Sequence, residues 1–236
     1  IVHYSSLCYF PLSFLAAYVV YKLMNGDMKW KNSSGILLLI LAIILGIAIS
    51  ALPFVDMNKQ QIIDSGIIKD VFAVENLKAT VYWTGFEGLI GALLIAGTVA
   101  LLVLVRLKKL TMGLVVIFTS SLLTINLASF IVAPRIEQYS QHAAIEFYTY
   151  LQKKDCYVET IGFKSYAHLF YSAKKPQSNP NSYNMDWLLK GPIDKPAYFA
   201  SKITSLEDIR QNYPDLKELY RKNGFVFWKR DVKVNF

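Results

Sequence analysis

GILLLILAIILGIAISALPF, residues 35–54, contains no charged side chain. A helix rises ~1.5 Å per residue, so a run of this length reaches ~30 Å, the thickness of a bilayer's hydrocarbon core. Three further stretches, residues 7–23, 86–107 and 112–133, are similarly apolar, with charges only next to their ends at Lys22, Glu87 and Arg106. The reading is therefore an α-helical integral membrane protein with four transmembrane helices in residues 1–134. A small soluble α/β domain follows in residues 135–236.

The links between the spans set an orientation. The first, KLMNGDMKWKNSS, carries Lys22, Lys29 and Lys31 against Asp27 alone, and the third, RLKKLT, carries Arg106, Lys108 and Lys109 with no acid. Short loops rich in Lys and Arg stay on the cytoplasmic side. Residues 55–85 and both ends of the chain then fall on the outer side, which makes the α/β domain extracytoplasmic. Residues 55–85 hold apolar pairs at Ile62-Ile63, Ile67-Ile68 and Val71-Phe72, a spacing close to that of an amphipathic helix lying on the outer membrane surface. Tyr82 and Trp83 stand where the third span begins, as interfacial aromatics do. The acids Asp56, Asp64, Asp70 and Glu75 read as solvated charges on the wet face of that helix rather than as acid–base catalysts.

Polar residues within the spans are few: Ser50, Thr98 and the run TSSLLTIN, residues 119–126. Such residues join helices to each other. No charge lies at the centre of a span, which argues against an ion relay and so against a transporter. The chain has 236 residues, is 54% hydrophobic and has a formal charge of +8. Its basic residues are scattered pairs rather than an arm, so the charge points to a lipid surface or to solvation and not to nucleic acid. Cys8 and Cys156 fall one in each part and give no disulfide framework.

The C-terminal part opens with Tyr139, Ala143, Phe147 and Leu151 at four-residue spacing, an amphipathic helix leaving the membrane. CYVETIGF, PAYFASKI and FVFWKR read as strands, SYAHLFYSAKK as a helix and QSNPNSYN as a polar loop. Thr204 and Glu207 form a capping-box pattern that opens a helix over SLEDIRQNYPDLKELYRKN, broken at Pro214 and closed by Gly224. No glycine-rich phosphate loop, CxxC or HExxH occurs. His142 and His168 read as packing or surface histidines, and the domain carries no legible chemistry.

One cluster remains. His3, Tyr4, Ser5 and Ser6 abut the first apolar run on the predicted outer side. Their hydroxyls and imidazole can donate to a lipid phosphate; equally, Tyr4 is the kind of residue that anchors a helix at the headgroup level.

IVHYSSLCYFPLSFLAA, with His3-Tyr4 and Phe10-Pro11-Leu12, resembles the C-terminal part of GT-C membrane glycosyltransferases. The group in question is the aminoarabinose-transferase-like and protein-mannosyltransferase-like enzymes, families 83 and 39. Members carry a lysine a few residues before the His-Tyr, which here would precede Ile1; Val2 and Leu7 stand where many have prolines. The resemblance implies transfer of a sugar from a polyprenyl-phosphate carrier to a lipid, protein or glycan acceptor on the outer side of a bacterial inner membrane. It implies Tyr4, and secondarily His3, as lipid-phosphate-binding residues. It places the catalytic aspartate upstream of these residues, with no catalytic residue within them. No cofactor is implied by the residues present, and a divalent metal would be bound upstream. The competing reading is a non-catalytic anchor presenting a sensing or binding domain.

Overall fold

The computed structural model describes residues 2–233, with side chains over residues 6–233. Along the chain, α1 (Val2–Met24) and α2 (Asn32–Ser50) precede three short helices, α3 (Leu52–Met57), α4 (Lys59–Asp64) and α5 (Val71–Leu77). Next come α6 (Gly88–Arg106), α7 (Leu110–Leu127), α8 (Ala133–Ser140) and α9 (His142–Tyr150). The remainder is β1 (Tyr157–Ile161), α10 (Ala167–Ser172), α11 (Met185–Lys190), β2 (Ala197–Lys202), α12 (Leu206–Asn212), β3 (Lys217–Lys222) and β4 (Phe225–Arg230). The chain divides into two compact units, residues 1–54 with 83–132 and residues 55–82 with 133–236.

In the first unit four helical runs, Ser6–Met24, Asn32–Met57, Gly88–Arg106 and Leu110–Ser140, are long and apolar enough to cross a membrane. They cover the four stretches read from sequence. Their contacts are made by small residues. A Cβ on Gly91 would stand 2.0 Å from the carbonyl oxygen of Gly46, and one on Gly97 would stand 2.0 Å from Ser120 Oγ. Such room is available only at glycine, so α2 packs closely on α6 and α6 on α7. Ser50 Oγ donates across the seam to Gly88 O at 2.6 Å. The other expected joining groups turn inward: Thr98 donates to Leu94 O and Ser120 to Ile117 O on their own helices. These two act by being small rather than by bonding between helices.

Five residues of π-helix, Ala128–Val132, link α7 to α8. Pro134, at the second position of α8, has no N–H to give the carbonyl a turn earlier, and the wider turn absorbs the misfit.

In the second unit a four-stranded sheet has the order β1-β2-β4-β3, with β1 and β2 parallel and the other pairs antiparallel. Both faces are covered. Phe199, Val226 and Trp228 pack with Leu188, Leu189 and Ile209 on one side. Tyr198, Ala200, Phe225 and Phe227 pack with Ala143, Phe147 and Leu151 on the other. Strands buried on both faces read as unbroken apolar runs, which is why FVFW and AYFA stand out in sequence. Of the stripe read here, Ala143, Phe147 and Leu151 face this core, while Tyr139 lies on α8 beyond a break at Gln141 and bonds Asp56 instead.

Two expectations are corrected here. The segment read as helix from Ser205 on, broken at Pro214, is helical only to Asn212, and residues 217–222 form β3 instead. Asn223 and Gly224 take φ of 47° and 74°, the signature of a two-residue hairpin turn joining β3 to β4. The capping box does not form either: Ser205 is the cap residue and makes no side-chain cap bond. Residues 55–85 are not one amphipathic helix. Gly66, at φ 65°, lies in the turn after α4, and Asp70 then opens α5 by accepting Phe72 N–H at 2.9 Å. Phe72 turns to Phe225, ring edge to face at 5.2 Å, so the apolar face of α5 meets the sheet domain. The acids of this segment hold local structure. Asp56 accepts from Lys59 at 2.9 Å and from Tyr139, while Glu75 pairs with Lys78.

Candidate functional site

Two features concentrate space or polar groups. The first is a groove in the helical unit. α1 is helical through His3 and Tyr4 to Met24 despite Pro11, and its residues 6–19 are all exposed. It stands off from its neighbours, leaving a groove of about 800 Å³ against α2 and α7. Leu15, Val19 and Leu23, four residues apart, form one wall, with Leu38 on α2 and Phe118 on α7 opposite. Lys29, Trp30 and Lys31 close one end, and no acid lines the groove. Its size falls in the ~300–1,000 Å³ range of ligand sites. A site with so few polar atoms accepts hydrocarbon, and the lysines can meet an anion only at the end they close. The side chains of His3 and Tyr4, expected to hold a lipid phosphate, lie outside the described residues.

The second feature is a buried polar cluster in the sheet domain. His168 on α10, 5% exposed, places Nε2 3.1 Å from Glu159 Oε1 on β1. The same oxygen accepts Thr160 N–H at 3.0 Å. Burial pushes the Glu159 carboxyl up, but the His168 contact and the Thr160 N–H outweigh it and hold the carboxyl below its usual range. Tyr148 lies edge-on to His168, ring centres 6.2 Å apart. Burial, and secondly the Glu159 charge, push its phenol well above the ordinary value. Tyr148 OH, His168 Nδ1 and Ser172 Oγ are buried without a protein partner. The cluster can keep a carboxylate ionised in a poorly solvated place. It is not a catalytic triad, because Ser172 makes no hydrogen bond to the imidazole. Among the described residues no group of three or more His, Cys, Asp or Glu side chains is arranged to hold a metal.

No protein-family model matches the chain, and no curated protein matches it in sequence. Among solved structures, it is similar to ArnT from Cupriavidus metallidurans bound to undecaprenyl phosphate, with 11% identity and a TM-score of 0.42 over 84% of this chain. The apo state of the same protein gives 11% identity and a TM-score of 0.42 over 85%. The chain spans little more than a third of the length of those proteins, 36% and 38%.

Sequence reading treated His168 as an isolated packing histidine and missed its carboxylate. The two residues are nine positions apart on different elements, and only the packing of α10 on β1 joins them. The groove had no sequence signal at all, since it is the space that one apolar helix leaves beside others.

Proposed function

We propose that the chain is the C-terminal part of an integral membrane glycosyltransferase of GT-C type. It would act on a sugar carried by a polyprenyl phosphate at the outer side of the membrane. The observation that carries this reading is the acid-free groove alongside α1, the helix whose first turn holds the His3-Tyr4 motif. The carrier's apolar tail lies in that groove, and its phosphate meets Tyr4 and His3 at the opposite end of α1 from Lys29 and Lys31. When the bond between the anomeric carbon and the phosphate oxygen breaks, the electron pair stays on phosphate, and hydrogen-bond donors placed there would stabilise it. The sugar passes to an acceptor oxygen or nitrogen, whose proton leaves to a base outside these residues. The Lys and Arg distribution supports an outer-face location for the motif and the sheet domain.

The test is single-turnover transfer from a defined polyprenyl-phosphate sugar by the full-length enzyme. Tyr4→Phe removes one charge-assisted hydrogen bond, worth roughly 1.5–3 kcal/mol, so the rate falls about ten- to a hundredfold. Ala16→Trp, which fills the groove, weakens donor binding and leaves the rate at saturation nearly unchanged. Full activity in both variants overturns the roles given to Tyr4 and the groove, and no transfer by the unsubstituted enzyme favours the anchor. Orientation is tested separately with an impermeant thiol reagent after Cys8→Ser. Cysteines at Lys29 and Lys108 stay protected in intact cells, and one at Tyr183, 70% exposed, reacts.

A further inference from the structure

Many basic side chains of the sheet domain sit against an acid. Lys195 meets Asp155, Lys217 and Lys229 meet Asp231, and Lys222 meets Glu146. Lys164 and Lys202 differ. Neither has an acid partner among the described residues, and both line one cleft of about 260 Å³ that no acidic side chain lines. Lys202, at the end of β2, is half-buried. Its Nζ stands 4.8 Å from the ring centre of Phe72 and 5.9 Å from that of Phe163. Ring faces stabilise a cation in part. They do not replace the water that burial removes, so the ammonium still lacks an anion.

The rest of the cleft suits the same ligand. Ser165 Oγ accepts Ala167 N–H at 3.2 Å, which leaves its own proton to donate. Ser140, on the helix that ends there, holds its carbonyl partners only at 3.3 and 3.4 Å. Phe225 completes an aromatic wall with Phe72 and Phe163. Two ammonium groups and two hydroxyls from separate elements match an anion with several acceptor oxygens better than a flat, singly charged carboxylate.

We propose that this cleft binds a phosphate carried on an apolar group, with Lys202 and Lys164 on the phosphate and the three phenylalanines against the apolar part. The site is independent of the glycosyl-transfer reading. Its ligand comes either from a membrane headgroup or from a free phosphate ester. The headgroup is the first source to test, because its apolar part would meet the three phenylalanines.

The experiment is calorimetric titration of the purified chain in a neutral detergent with dihexanoyl phosphatidic acid, dihexanoyl phosphatidylcholine and inorganic phosphate. Phosphatidic acid binds, and Lys202→Met weakens it about tenfold, equivalent to ~1.4 kcal/mol. Lys164→Met weakens it several-fold, and Lys202→Arg retains most of it. Inorganic phosphate binding more weakly supports the apolar part of the site; equal binding with the same lysine dependence keeps the phosphate site and overturns the role given to the phenylalanines. Phosphatidylcholine binding as tightly as phosphatidic acid, or no loss in either methionine variant, overturns the proposal. Lys164 is exposed, so Lys164→Met decides the matter if Lys202→Met does not fold.

Discussion

The two units of this chain bury opposite kinds of residue. In α2, α6 and α7 the buried positions are mostly small, Gly35, Ala42, Gly46, Gly91, Gly97, Gly113, Ser120 and Thr124 among them, while Ile36, Ile44, Leu89 and Phe118 lie exposed. In the sheet domain the buried positions are Phe147, Phe199, Phe227 and Trp228, and charged residues cover the outside. Each arrangement answers its solvent. Against water, burying large apolar side chains is the main source of stability. Against lipid tails a leucine gains nothing by turning inward, so close backbone approach decides which residues face the neighbouring helix.

The largest expected effect tests the water-facing half. Phe227 is fully buried, its ring 4.4 Å from that of Phe147. Phe227→Ala should lower the unfolding free energy of the sheet domain by about 3–5 kcal/mol, read by hydrogen exchange of β2 and β4 in the intact protein. A change below about 1 kcal/mol would mean that this core is not what holds the domain.

A matched pair tests the contrast directly. Ile44 is 58% exposed and Leu219 is 43% exposed, so in water a lysine at either place would be tolerated to within about 0.5 kcal/mol. If the first unit sits in lipid, Ile44→Lys opposes insertion by about 2.5–3.5 kcal/mol, while Leu219→Lys stays neutral. Glycosylation-tagged insertion assays report the first and thermal unfolding the second. Equal tolerance would break the comparison.

Gly91→Ala sharpens it. The new methyl meets the backbone of Gly46, which cannot step aside as a side chain would. A loss of about 1–3 kcal/mol is expected, seen as easier denaturation of the helical unit by detergent, whereas a leucine-driven interface would hardly notice.

The smallest effect is in the acid limb of stability. Glu159 has a folded value below the ordinary carboxylate range, so its contribution is present above the unfolded value of ~4.3 and is lost as pH falls through the folded one. Glu218 and Asp231, held down by arginine and lysine partners, act with the same sign. Glu159→Gln should therefore make the acid decline shallower without removing it. An unchanged slope would show that the His168 contact adds nothing to folding.

What was legible follows from the range of the forces involved. Transfer of an apolar helix into lipid is a sum over its own residues, so residues 35–54 and their three counterparts declared themselves without knowledge of their neighbours. The lysine-rich links set a predicted orientation for the same additive reason. Local turn chemistry was also present but misread: Asn223-Gly224 marked a hairpin, and the helix-forming character of LKELYRK concealed it. Partners along β4 overrode that propensity, because a strand completes its hydrogen bonds only against another strand.

By itself, then, the sequence determined the four apolar helices and the mixed helix-and-strand character of the C-terminal part. Tertiary structure alone decided that residues 55–82 join the sheet domain through Phe72, that His168 finds Glu159, that Lys164 and Lys202 line one aromatic cleft and that α1 leaves a groove against α2 and α7. Those outcomes depend on which surfaces fit together at a distance along the chain. Packing is a property of pairs of elements, and no single stretch of residues carries it.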